Sequence, residues 1–358
     1  MLPDATQMRI GGRVAGEGAP LFVVAEIGLN HDGSIDRALA LVDAAAAAGA
    51  SAVKVQALVA AELVVPGAPA PTHVDATSMV DFFRRFELDH AAYARLAERA
   101  RERGLAFIAT PFSEGAVEML ERVGVDAYKI ASGDITWERL VHRAGATGKP
   151  VIISTGMSSL QEAQRALFWA ARAGAPGLAL LHCVSAYPVP KGSENLRAIA
   201  TLGMACRAVV GFSDHGADGF AVPLAVAMGA SIYERHLVLS ADDDSIDAEV
   251  SSTPGELAAI VRTAARALAA LGTGVKACLP AEKSNLDPSR RALYARRRLP
   301  AGHVVSAADV IALRPGYGLG PDRQRELVGQ RLTRDVDAGA PFQVADLHAD
   351  DRGTEHVA

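Results

Sequence analysis

The stretch Val209–Leu237, VVGFSDHGADGFAVPLAVAMGASIYERHL, decides how the whole chain is read. It holds two strand-like runs, VVGFSDH and SIYERHL, with an apolar segment of helix length between them. Each run delivers a histidine near its C-terminal end, His215 and His236. Neighbouring parallel strands lie roughly 4.8 Å apart. Two imidazoles at matching heights can therefore share one metal ion, a common role for neutral histidine.

Outward from this stretch the same unit recurs. A helix that ends in glycine is followed by an apolar run: FVVAEIG from Phe22, AVKVQ from Ala52, AFIATP from Ala106 and AYKIAS from Ala127. VIISTG from Val151 and LALLHC from Leu178 lead on to VVGFSDH and SIYERHL. The glycines are Gly49, Gly104, Gly124, Gly148, Gly174 and Gly229. Glycine just past a helix end takes the left-handed conformation without a Cβ penalty. The runs are too apolar for half-exposed strands and suit a parallel sheet covered by helices. Eight such units predict an α/β fold of the (β/α)8 TIM-barrel type, whose usual size is about 250 residues. A doubly wound open sheet is the rival; it more often carries GxGxxG after its first strand, and EIGLNHDG is not that motif.

The texture changes near Gly274. GVKACLPAEKSNLDP reads as a linker, and from Arg290 short β-like pieces are broken by glycine and proline. The expected division is an N-terminal extension at 1–20, the barrel at 21–275, a linker at 276–289 and a small β-rich domain at 290–350. The closing HADDRGTEHVA reads as a frayed tail.

Composition bounds the function. Half of the 358 residues are hydrophobic, enough for a large core. A net charge of -5 argues against nucleic acid as the main partner. The cysteines Cys183, Cys206 and Cys278 lack CxxC spacing and suit a reducing compartment. Residues 1–20 hold no apolar run of signal-peptide length, and no run elsewhere reaches membrane-spanning length before a charge interrupts it. The expected location is the cytoplasm, with no membrane partner.

Catalytic groups of a barrel come from the C-terminal ends of its strands. Read in order, those ends give Glu26, Asn30 and His31, then Lys54 and Gln56, then Thr110, then Lys129, Ser132 and Asp134. The second half gives Ser154 and Thr155, then His182, Ser185 and Tyr187, then Ser213, Asp214 and His215, then Glu234 and His236. The opposite ends offer little beyond glycine and alanine. Strand parity sends Lys54 with Gln56, Ser213 with His215, and Glu234 with His236 to one side. Two lysines and several serines suit a phosphate and a carboxylate through charge-assisted hydrogen bonds. Glu26 lies on the first strand, which closure places beside the eighth, within reach of the same ion or its water.

Each residue also has a plainer reading. A lone strand histidine is more often a hydrogen-bonded core residue. Ser132, Ser154 and Ser213 stand equally open as caps of the following helices, and Asp134 as an N-cap. Tyr187-Pro188 reads as a rigid loop, and Arg296-Arg297-Arg298 as a solvated face. Lys54, flanked by apolar residues in VKVQ, calls for a buried anion partner.

These segments carry a family resemblance. AEIGLNHDGS (25–34), AVKVQ (52–56), IATPF (108–112), YKIASGDI (128–135), ISTGM (153–157), LLHCVSAYPVP (180–190), NLRAI (195–199), GFSDHG (211–216) and ERHLVL (234–239) resemble the sialic acid synthase family. Its members make N-acetylneuraminate, legionaminate or pseudaminate. LRPGYGLGP (313–321) is similar to that family's antifreeze-like (SAF) domain. The resemblance runs in order from about Val23 to Leu347.

The resemblance implies condensation of phosphoenolpyruvate with an open-chain N-acetylated amino sugar, giving a sialic-acid-like nonulosonate and phosphate. It implies His215 and His236 as ligands of a divalent ion, Mn²⁺ or Mg²⁺. Lys54, Lys129, Ser132, Ser154 and Ser213 would bind phosphoenolpyruvate. Gln56, Tyr187 and Asp247 would line the sugar end, with Asp134 and Ser185, and Glu26 would sit by the reacting centre. Arg314 would reach from the appendage of one subunit into the barrel mouth of the other, in a domain-swapped homodimer. Asp134 stands where many N-acetylneuraminate synthases have glutamate, and Ser185 where some have asparagine. SIDAEVSSTP around Asp247 lacks the histidine that commonly follows this aspartate, and ERH replaces the frequent EKH. All but the last touch the sugar end, which leaves the amino sugar open. Three rival functions are condensation on another sugar or a sugar phosphate, a Schiff-base aldolase using Lys54 or Lys129, and a non-enzymatic binding protein.

Overall fold

The computed structural model describes residues 6–69 and 77–347. The stretch read as a frayed tail, 348–358, lies outside the described residues. The chain divides into two compact units at Gly274.

Strands β1 (Gln7–Ile10) and β2 (Arg13–Gly16) form an antiparallel hairpin. Eight parallel strands follow: β3 (Phe22–Glu26), β4 (Ala52–Ala57), β5 (Ala106–Pro111), β6 (Ala127–Ile130), β7 (Val151–Ser154), β8 (Leu178–His182), β9 (Val209–Asp214) and β10 (Ile232–Leu237). Each pairs with its predecessor, and β10 pairs with β3 as well as β9. That last pairing closes the barrel and excludes the open doubly wound sheet. A two-residue strand, β11 (Ser251–Ser252), continues the pairing at the C-terminal end of β10.

The connections follow local chemistry. Ser34, Asp89 and Ser113 cap helix N-termini with their side chains, and Ser159 and Thr253 complete capping boxes with Glu162 and Glu256. The six glycines read as helix ends all take φ of 70–103°, where a Cβ is penalised.

Side chains alternate across each strand, and the alternation builds two cores. Val23, Val53, Phe107, Ile153, Leu180 and Tyr233 face the helices. Phe22, Val24, Ala52, Ile108, Ile152 and Ile232 face the barrel axis. The hairpin adds Met8, Ile10 and Ala15 to this inner cluster. It plugs the N-terminal end of the barrel, a role the reading of 1–20 as an extension did not contain. No helix among the described residues is long and apolar enough to cross a membrane.

The second unit has its own small core of Leu293, Leu299, Val310, Leu327, Val336 and Phe342. Strands β12 (Ala292–Ala295) and β13 (Val310–Leu313) pair antiparallel beside it.

Candidate active site

Along most of the barrel strands the inward positions turn from apolar to polar towards the C-terminal end. Val24 is followed by Glu26, Ala52 by Lys54 and Gln56, Ala127 by Lys129, and Ile152 by Ser154. Val209 is followed by Ser213 and His215, and Ile232 by Glu234 and His236. The register makes the polar residues direct neighbours: Glu26 stands opposite Lys54 and His236, and Glu234 opposite Ser213. A cavity of about 320 Å³ opens above them. Its walls bring together Lys54, Gln56, Lys129, Ser132, Ser154, Ser185, Tyr187, Ser213, His215, Glu234, His236 and Asp247. A neighbouring cleft of about 430 Å³ shares Met157, Cys183 and Ser185 but has no lysine or carboxylate on its walls. The chemistry therefore belongs to the smaller cavity.

The charged floor is a buried lattice of two lysines and two glutamates. Lys54 forms an ion pair with Glu26 and lies 3.7 Å from Glu234. Lys129 lies 3.9 Å from Glu234 and donates to Ser154 Oγ at 2.5 Å. Ser213 Oγ donates to Glu234 Oε1 at 2.8 Å. Burial opposes the charge on Lys54, but Glu234 and Glu26 outweigh it and hold the ammonium protonated. Burial pulls Lys129 below its ordinary range, against the pull of Glu234. Burial raises Glu26, while for Glu234 the two lysines overcome burial and keep it ionised. The anion partners expected of Lys54 are thus Glu26 and Glu234.

Glu234 is the residue that the sequence reading left without a role. It stands on the inward face of β10, two residues before His236, so its parity with His236 was the available signal. Glu26 also needs local room: a Cβ on Gly28 would lie 2.1 Å from Glu26 Oε1, and the Gly28 N–H donates to that oxygen at 2.6 Å. Only glycine lets the chain turn so tightly over the carboxylate.

The serines are not helix caps. Ser154 accepts from Lys129, Ser213 donates to Glu234, and Ser132 accepts from the Gly156 N–H at 3.0 Å. Ser132 Oγ also lies 3.1 Å from Cys183 Sγ. Asp134 is not an N-cap either, since the next helix begins at Glu138 with Trp137 at its cap position. It also does not line the cavity, where Gly133 takes its place. One of its carboxylate oxygens is buried without a partner, and burial pushes the carboxyl up to about 6. Arg314 belongs to the second unit and is exposed just after β13.

The two histidines meet as the opening stretch predicts, with ring centroids 5.6 Å apart. His215 Nδ1 lies 3.0 Å from the Val184 carbonyl, which accepts its proton and leaves the Nε2 lone pair free of it. Nε2 is 3.1 Å from the Tyr187 hydroxyl, and the two rings stack at 4.2 Å. His236 Nδ1 is buried without a hydrogen-bond partner, 3.4 Å from Asp247 Oδ2. Burial lowers both imidazoles, His236 the further, so both are neutral near pH 7. Among the described residues no three His, Cys, Asp or Glu side chains are grouped to hold a metal alone. Two neutral imidazole nitrogens so close together would be able to hold a divalent ion. Asp247 itself is pushed up to about 7 by burial and by Glu26.

Comparison with known proteins places the chain in a family. Residues 41–276 match the NeuB family and residues 290–348 match the SAF domain. The chain is 34% identical over 338 residues to the N,N'-diacetyllegionaminic acid synthase of Legionella pneumophila, covering 92% of this chain and 95% of that protein. It is 30% identical over 332 residues to a pseudaminic acid synthase of Campylobacter jejuni, covering 91% and 96%. The crystal structure of an N-acetylneuraminic acid synthetase from Leptospira borgpetersenii in complex with citrate superposes with a TM-score of 0.71 at 34% identity, over 78% of this chain and 94% of that one. These relatives are synthases of related acidic sugars, and the match spans both units. The chain belongs to the NeuB family and carries a SAF domain at its C-terminal end.

Proposed function

We propose that this chain condenses phosphoenolpyruvate with an open-chain N-acetylated amino sugar, giving a nonulosonate and phosphate. The observation that carries the reading is the inward ring at the C-terminal end of the barrel. It sets two lysines and a set of serines beside two neutral histidines in one cavity. Atoms balance with one water: C3 of phosphoenolpyruvate bonds to the aldehyde carbon, the aldehyde oxygen gains a proton, water oxygen adds at C2, and phosphate leaves.

The residues divide this work. Lys54 and Lys129 would neutralise the carboxylate and phosphate, and Ser132, Ser154 and Ser213, which line the same cavity, would offer hydroxyl donors around them. Glu26 and Glu234 hold the lysines in place before substrate arrives, so little reorganisation remains for the reaction. Glu26 would sit beneath the reacting centre and act through the Lys54 that it pairs with, since it is not itself on the cavity wall. Gln56, Ser185, Tyr187 and Asp247, which also line the cavity, would face the acceptor sugar. Asp247, near 7, can donate to or accept from a sugar hydroxyl. His215 and His236 would hold Mn²⁺ or Mg²⁺, which supplies Lewis acidity and lowers the pKa of bound water. Arg314 completes the site from a second subunit of a homodimer, and the enzyme works in the cytoplasm.

The test is a direct assay. Chain, phosphoenolpyruvate and Mn²⁺ are incubated with a panel of N-acetylated hexosamines, and the products are weighed by mass spectrometry. A nonulosonate with equimolar phosphate is expected, lost on chelation and in His215→Ala and His236→Ala. Turnover unchanged by chelator, or no product with any sugar, would end the reading. The lowered amine of Lys129 is the one feature that suits a Schiff-base aldolase. Borohydride trapping with pyruvate separates the two.

A further inference from the structure

We propose that Asn30 is the positioning residue for Asp247, and so for the acceptor end of the cavity. Asn30 is fully buried in the loop after β3 and is not itself on the cavity wall. Its hydrogen-bonding capacity is spent on one segment, the connection that follows β10. Nδ2 donates to the Leu237 carbonyl at 2.9 Å and to Ser251 Oγ at 2.9 Å. Oδ1 accepts from Ser245 Oγ at 3.0 Å and from the Asp247 N–H at 3.2 Å. The two backbone partners fix the amide's orientation, because a carbonyl only accepts and an N–H only donates.

The geometry around Asp247 is closed on both sides. Its N–H is held by Asn30 Oδ1. Its carbonyl accepts from Ser251 Oγ at 2.7 Å, and that same Oγ accepts from Asn30 Nδ2. One buried amide therefore pins both polar groups of Asp247's backbone, one directly and one through Ser251. It ties them to Leu237, the residue after His236, and so sets the Asp247 carboxylate 3.4 Å from the His236 ring. The segment from Val238 to Val250 has little regular structure of its own beyond one short turn at Ala248–Val250. A loop without a ladder needs such a clamp to hold a side chain at a fixed height. Arg37 reinforces it, donating to the Asn30 carbonyl at 2.6 Å and pairing with Asp243.

This inference rests on the reading of Asp247 as facing the acceptor. The test is Asn30→Asp in the full chain, which keeps the shape but turns the donor facing Leu237 into an acceptor. An unpaired buried backbone group shifts local equilibria by about tenfold or more. The acceptor KM should rise by about that factor, with the phosphoenolpyruvate KM within about twofold of the wild type. Hydrogen exchange should quicken across 239–251 and stay unchanged in the barrel strands. Ser251→Ala, a milder cut in the same clamp, should show the same split with a smaller rise. Combined with Asp247→Ala, Asn30→Asp should add nothing further to the acceptor KM, because both act on one contact. Two results overturn the proposal: an unchanged acceptor KM with unchanged loop exchange, or both KM values rising together. If the wild-type chain condenses no acceptor, the functional reading falls, and loop exchange alone decides the clamp.

Discussion

Replacing Glu234 by glutamine removes one buried charge and keeps the side chain's shape. Lys54 retains Glu26 as its ion-pair partner. Lys129 loses the carboxylate beside it at 3.9 Å. Two unit charges 3.9 Å apart attract by about 4 kcal/mol at an effective dielectric of about 20. Losing that attraction moves the lysine's pKa further down. Burial already holds Lys129 below its ordinary 10.5. An amine with a depressed pKa is charged at low pH and neutral above it, so in Glu234→Gln the loss should grow as pH rises. The assay is phosphate release at saturating sugar, comparing kcat/KM for phosphoenolpyruvate in variant and wild type at each pH. Taking the ratio cancels the titration of the substrate. It should fall as pH rises across the range in which the wild type is active, by up to about tenfold, the worth of one charge-assisted contact. A ratio that stays flat across that range would refute the argument that Glu234 keeps Lys129 charged.

Two further outcomes can be checked. On the proposed reading, in which Arg314 acts across a homodimer, Arg314→Ala and His236→Ala chains, each inactive alone, should recover activity when mixed; no recovery, with mixed dimers confirmed by native mass spectrometry, places Arg314 in its own chain's site or outside it. Asp134→Asn should stabilise the protein at pH 8 and not at pH 4. Its carboxyl is raised to about 6 in the fold, so its burden on stability appears as pH climbs from about 4 through 6 and persists above. Discounted for partial exposure, the gain is about 1 kcal/mol, or a few degrees of Tm. An equal shift at both pH values would remove burial of the charge as the cause.

The fold was legible because barrel strands are local objects. Apolar runs such as VIIS and LALLH, helix-ending glycines such as Gly124 and Gly174, and their eightfold recurrence can all be read without knowing what touches what. Parity carried the reading further, since His215 and His236 follow from strand ends alone. The hairpin plug was not legible, because Met8, Ile10 and Ala15 gain their meaning only from the inner ends of strands far along the chain.

The sequence by itself determined the barrel, the two histidines and the basic, hydroxyl-lined character of one end. Tertiary structure alone decided who pairs with whom. Glu234 looks like any strand-end glutamate until closure brings Lys54 and Lys129 within 4 Å of it. Ser154 and Ser213 read equally as caps until Lys129 and Glu234 claim their hydroxyls. Asn30 sits more than two hundred residues from the loop it clamps. The physical reason is range: propensity and periodicity act over a few residues, whereas buried charges and amides are satisfied by whatever the closed barrel places beside them.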